Sequence, residues 1–397
     1  MNISVGMQEK DMSPEHMHVE GVEAEEQLKH AELKEALDAE GGVDKHLEKK
    51  LRWKVDRRLL PLCGALYAVS LIDRLNLPNA RLAGMDAALG LSIGNRYSIL
   101  TMAFFIGYII CDFPANFVMR KVGPASFLGT IGFCWGVLTI GMGFCKTWGE
   151  LLLCRIIFGM FEGGLFPGLI YLLSCWYVRH EVQVRFSGFY GAGMLVSGLS
   201  NLLAYGLSKA NGLSGLGGWS WIFIFGKPIL METFSYFLSP MIPDTDPTFS
   251  AEGITTCVVA IVVLVFLIDF PDKAVRPSKL GFRRFQTPNE ATVILARIER
   301  DRGDAIPEKF SPQVVFNHLK DWKIWEYCVL LLCNNTVAYS FAYFLPLILH
   351  SGMGYSIPMT YTLIFPPYVL AAIWMFIAAY IGDRFMIRGP IIVFNAI

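Results

Sequence analysis

The sequence predicts an all-α integral membrane protein, and three observations carry that expectation. Of 397 residues, 54% are hydrophobic, 13% aromatic and only 17% charged, and the mean hydropathy is +0.45, far from the balance of a soluble domain. Apolar blocks long enough to cross a bilayer recur along the chain. The polar connections between them alternate between rich and poor in Lys and Arg, as the loops of a multi-pass protein do.

The net charge of +0 hides a strong segregation, because the first fifty or so residues are crowded with Glu, Lys, Asp and His while the apolar blocks hold almost no charge. No basic surface for nucleic acid is indicated. The nine cysteines fall mostly inside apolar runs and never at metal-ligand spacing, so they read as small buried hydrophobes rather than a zinc site or disulfide framework. Without a histidine cluster, nucleophile elbow or metal motif, neither an enzyme nor a resident cofactor is expected.

Taken in order, residues 1–55 read as a cytosolic tail, since they contain no apolar core of signal-peptide length. The first membrane helix then acts as its own insertion signal. The helix-favouring stretch Glu23 to Arg52 reads as a solvated arm, with a regulatory or membrane-surface role as the alternative. Candidate spans follow at 58–80, 95–118, 124–145, 149–178, 184–208, 252–270, 324–348 and 357–381, with a ninth beginning near Pro390. Arg52, Lys54, Arg57 and Arg58 precede the first span, Arg120 and Lys121 follow the second, and Arg179 and Arg185 follow the fourth. The intervening loops are poorer in basic residues, so the amino terminus is expected to be cytoplasmic.

Two spans carry charge where hydrocarbon is expected: Asp73 and Arg74 in the first, Arg155 and Glu162 in the fourth. Seven residues make two turns, so Arg155 and Glu162 share a face. At about 1.5 Å per residue, Arg74 lies roughly 22 Å above the inner boundary, with Arg155 roughly 6 Å and Glu162 roughly 16 Å below the outer one. The four groups therefore converge in depth, as a transport site near the midplane requires. An unpaired carboxylate at Glu162 would be costly to ionise, which suits a proton carrier. Plainer alternatives are an interfacial salt bridge for Asp73 and Arg74, with Arg74 snorkelling, and a helix clamp for Arg155. Asn335, Tyr339 and Tyr343 recur every four residues on the seventh span and could face a substrate or simply pack. Gly188, Gly191, Gly193 and Gly198 suggest close helix contact on the fifth. Glu181 and Arg185 read as gating salt-bridge residues.

The strings DRLNLPNARLAG (73–84), FFIGYIICDFPAN (104–116), RIIFGMFEGGLFPG (155–168), WYVRHEVQVR (176–185) and PPYVLA (366–371) resemble the major facilitator superfamily, and within it the fungal allantoate permease family of anion:cation symporters. The resemblance implies that fold's first six-helix half over 56–270, a cytoplasmic central loop over 271–323, and an incomplete second half over 324–397. GDRFMIRGP (382–390) resembles the loop after the eighth helix, which implies gating roles for Asp383, Arg384 and Arg388. It further implies that Asp73 and Glu162 couple protons and that Arg74 and Arg155 hold a carboxylate. Two departures stand out. The family has twelve spans and this chain reaches its ninth; and residues 225–251 separate GWSWIFI (218–224) from Glu252-Gly253, an insert that reads as translated intron or as an authentic loop.

The expectation is thus a proton-coupled carrier of a small organic anion working by alternating access, monomeric and in the plasma membrane. The substrate could be a carboxylate such as allantoate or ureidosuccinate, or a vitamin such as nicotinate, pantothenate or biotin. Its rival is a non-transporting fragment, a mis-annotated gene model or a sensor-like relative.

Overall fold

The computed structural model describes residues 45–208, 219, 222–223, 252–271, 288–302, 319–385 and 389–396, and all of its regular structure among them is helical. Residues 1–44 and the 225–251 insert lie outside the described residues. Helix α1 covers Lys45–Ala80, α2 Arg96–Val122, α3 Pro124–Met142, α4 Trp148–Glu162, α5 Leu165–Trp176 and α6 Arg179–Ser208. Beyond these lie α7 Glu252–Phe266, α8 Pro288–Arg302, α9 Trp322–Leu347, α10 Ile357–Phe385 and α11 Gly389–Ala396.

Local chemistry sets several of these ends. Pro124 opens α3 at its first turn, behind Gly123 at φ +99°, a backbone that disfavours any side chain. Thr147 and Glu150 form a reciprocal capping box at the start of α4. The side chain of Asp321 accepts from the Lys323 amide to cap α9.

Contacts divide the chain into two units. The smaller contains residues up to Trp53 together with Pro271–Phe310; within it Arg297 Nε pairs with Glu48 Oε1 at 2.8 Å. The larger, Lys54–Phe270 with Ser311–Ile397, holds the apolar helices. Six described helical stretches are long and apolar enough to cross a membrane: Glu48–Leu89, Arg96–Val122, Pro124–Met142, Trp148–Trp176, Trp322–Gly352 and Ile357–Gly382. The remaining expected spans are also helical, but α6 is more polar at its head and only Thr255–Phe266 of the next is a shorter apolar helix.

Glycines let the helices of the larger unit approach backbone to backbone. A side chain at Gly107 would strike the Ile156 carbonyl of α4, and one at Gly159 the Phe104 carbonyl of α2. A Cβ at Gly129 would lie 2.5 Å from Leu264, which places α7 against α3. On α6, Gly191 faces Phe376 and Gly198 faces Tyr368 of α10, while Gly193 faces Tyr67 and Leu71 of α1. Gly188 has open space around it and takes no part. Large apolar side chains such as Ile109, Ile110, Leu331 and Leu332 remain exposed on the helix exteriors, as a bilayer-facing surface requires.

Candidate functional site

The site grows from α1, where Asp73 and Arg74 stand about 100° apart around the helix and so serve different neighbours. Arg74 Nε meets Glu162 Oε1 of α4 at 2.7 Å. Ser70, one turn earlier, donates to the same oxygen, and Arg74 Nη1 donates to the Tyr339 hydroxyl of α9. The rings of Phe104, Tyr108 and Tyr339 surround the guanidinium with centroids 5.5, 5.3 and 5.8 Å away. Glu162 is fully buried, and its Oε2 has no hydrogen-bond partner among the described residues. Glu162 is therefore not the unpaired carboxylate expected from sequence: it is half satisfied, through one oxygen.

Asp73 turns the other way. Its carboxylate accepts from Trp135 Nε1 of α3 at 3.1 Å, from Thr256 of α7 at 3.5 Å, and from Asn76 at 3.4 Å. The expected ionic foursome thus separates: Arg74 and Glu162 join directly, whereas Asp73 fastens α1 to α3 and α7.

Arg155 lies on the same face of α4 as Glu162 and is 1% exposed. Its guanidinium sits 5.7 Å from the Phe158 ring centroid, with Tyr97, Tyr343, Glu162 and Asp73 within electrostatic reach. Neither its Nε nor its Nη2 has a hydrogen-bond partner among the described residues. Those two nitrogens form one edge of the guanidinium, the fork that grips a carboxylate side-on. Elsewhere in the molecule that edge is occupied: Arg185 holds Asp56 through Nε at 2.7 Å and Nη2 at 2.9 Å.

Helix α9 also reaches this centre. Tyr343 is buried, its ring stacks on Tyr339 with centroids 6.2 Å apart, and its carbonyl accepts from Tyr97 at 3.2 Å. Phe105 of α2 packs edge-on to Tyr339 at 5.1 Å. Asn335 does not join them and is exposed. Each step of four residues rotates about 40° around a helix, so a row of three drifts about 80° and its first member leaves the face.

The expected gating residues divide as well. Arg185 is bound by Asp56 of α1, which also accepts from the Tyr177 hydroxyl at 2.6 Å, and Glu181 Oε2 lies 4.0 Å from Arg185. Arg384 is exposed and donates to Tyr380 at 3.1 Å. The Asp383 side chain and Arg388 lie outside the described residues. Sequence reasoning missed Ser70, Tyr108 and Asp56. Ser70 could have been found one turn before Arg74, and Asp56 as the only acid among the basic residues at the head of the first span.

The family model described as Major Facilitator Superfamily matches residues 63–397. "MFS transporter prlL" of Fungal sp. (strain NRRL 50135) is 26% identical over 363 residues, covering 90% of this chain and 66% of that protein. The "High-affinity nicotinic acid transporter" of Saccharomyces cerevisiae is 28% identical over 346 residues, covering 87% and 58% respectively. The chain spans 58% to 66% of the length of these two relatives. A bacterial homologue of the human lysosomal transporter Spinster, solved inward-facing and occupied, overlays with a TM-score of 0.47 at 16% identity, covering 82% of this chain and 61% of that one. The family is one of multi-pass membrane transporters rather than enzymes, and with the helical architecture and the match over residues 63–397 the chain belongs to the major facilitator superfamily.

Proposed function

We propose that this protein is a secondary transporter of the allantoate permease type, which takes up a small organic carboxylate with protons by alternating access. The observation that carries this reading is the open Nε/Nη2 edge of buried Arg155. An arginine held inside a membrane helix costs about 2.5–3.5 kcal/mol on insertion scales, and leaving its best donor edge unpaired adds to that cost. A substrate carboxylate would offset both, docking as Asp56 docks on Arg185. The similarity to a nicotinic acid transporter supports a small carboxylate as cargo, with nicotinate a reasonable first probe.

Arg74 takes a different role, because its Nε is already committed to Glu162. A proton arriving on Glu162 would land on the unpartnered Oε2, neutralise the carboxylate and release Arg74, and with it the link to Tyr339 in the second half. Proton binding is thereby tied to the contact between the halves. The same reading places the amino terminus in the cytoplasm and the working monomer in the plasma membrane.

The test is Glu162→Gln in cells or proteoliposomes given labelled nicotinate and a panel of small carboxylates. Glutamine keeps the shape and cannot ionise, so accumulation against a gradient should vanish while exchange of pre-loaded substrate stays within about twofold. Normal accumulation by this variant would overturn the coupling assignment.

A further inference from the structure

We propose that Asp112 is a second protonation site, which receives the proton from Glu162 and hands it to the side of the membrane where α2 ends. The proposal rests on the proton-coupled reading above and names a residue that reading does not use. Along α2, Tyr108, Asp112, Asn116 and Arg120 follow one another at intervals of four residues, about 6 Å apart along the axis, each one turn from the next, so the row winds about 120° around the helix from first to last. The upper end of this row touches the site, since the Tyr108 ring lies 5.3 Å from the Arg74 guanidinium. Its lower end is the last turn of α2, where Arg120 lies over Tyr171 of α5 at 5.4 Å.

Asp112 lies ten residues before the end of α2, about 15 Å inside the helix terminus. It is half-buried, and its Oδ1 has no hydrogen-bond partner among the described residues. An ionisable group at such a depth, with one carboxylate oxygen lacking a hydrogen bond, calls for a functional reason. Asp112 stands seven residues, two full turns, after Phe105, which packs on Tyr339 and Tyr343 of α9. It therefore occupies the face of α2 that meets the second half. The groups around it favour the relay. Of the helices packed against α2, α4 brings Glu162 to the upper end of the row, while α3 and α5 contain no acidic or basic residue. On α9, Lys323 and Glu326 are exposed near its start.

The step balances as a proton transfer. Glu162 Oε2–H gives its proton to the Asp112 carboxylate, Glu162 regains its charge and re-forms its pair with Arg74, and neutral Asp112 then loses the proton to water that reaches it from the end of α2. Nothing is oxidised or reduced.

Two measurements on the full chain in proteoliposomes test this. The first is labelling by a hydrophobic carbodiimide, which modifies protonated carboxyls within membranes, mapped by mass spectrometry between about pH 5 and pH 8. Asp112 should be modified, with the yield falling as pH rises; no modification across that range overturns the proposal. The second follows internal acidification and labelled nicotinate together. Asp112→Asn should lower acidification by about tenfold or more while exchange stays within about twofold, and Asp112→Glu should restore it. If Asp112→Asn acidifies like the parent while Glu162→Gln does not, the relay fails and the coupling reading stands; if both acidify normally, the coupling reading fails as well. Loss of exchange in a correctly folded Asp112→Asn would make Asp112 a substrate or gating group and overturn the relay.

Discussion

Two arginines of the same helix-bundle interior show how identical side chains take different roles from their partners. Arg185 has a carboxylate on its Nε/Nη2 edge, whereas the same edge of Arg155 has no hydrogen-bond partner among the described residues. Lysine keeps the charge but cannot form a two-pronged planar grip. Arg155→Lys should therefore raise KM for a carboxylate substrate by about tenfold or more with a smaller change in kcat, whereas a general loss of folding would lower surface expression. Uptake kinetics set against surface biotinylation separate these outcomes. Glu162 shows the same principle in an acid: one oxygen accepts from Ser70 and Arg74, and the other has no hydrogen-bond partner among the described residues.

Helices α2 and α4 carry most of the site, and their approach decides whether Arg155, Glu162, Phe105 and Tyr108 share one space. That approach depends on Gly107 and Gly159, each placed against the partner's backbone. Backbone cannot move aside as a side chain can, so even a methyl group should separate the helices. Gly159→Ala is expected to lower the melting temperature in detergent, at a cost of about 1–3 kcal/mol, and to weaken uptake. Gly188→Ala, which meets open space, should leave both unchanged. Equal behaviour of the two variants would mean that the close packing of α2 on α4 does not matter. The polar row on α2 belongs to this scale too, because its spacing has meaning only once Phe105 fixes which face meets α9.

For the whole molecule, the distribution of Lys and Arg among the loops predicts a cytoplasmic amino terminus, and the proton path proposed above takes its direction from that expectation. An epitope at the amino terminus should accordingly be reached by antibody only after permeabilisation; staining of intact cells would invert the direction of every proton step proposed here. Much of the architecture was legible in the sequence, because bilayer thickness fixes the length of an apolar span, so the long apolar helices follow from composition alone. That Arg74 and Glu162 stand at one level was legible too, since rise per residue converts sequence position into height, and the two side chains meet at 2.7 Å. Lateral direction was not. Whether Asp73 meets an arginine or Trp135, whether Asn335 faces inward, and which acid holds Arg185 all depend on how each helix is rotated against its neighbours. That rotation is decided by glycine contacts and ring packing between segments far apart in the chain, so the sequence by itself determined which charges lie within apolar spans, and only the tertiary structure decided which of them are paired and which edge of Arg155 has no hydrogen-bond partner among the described residues.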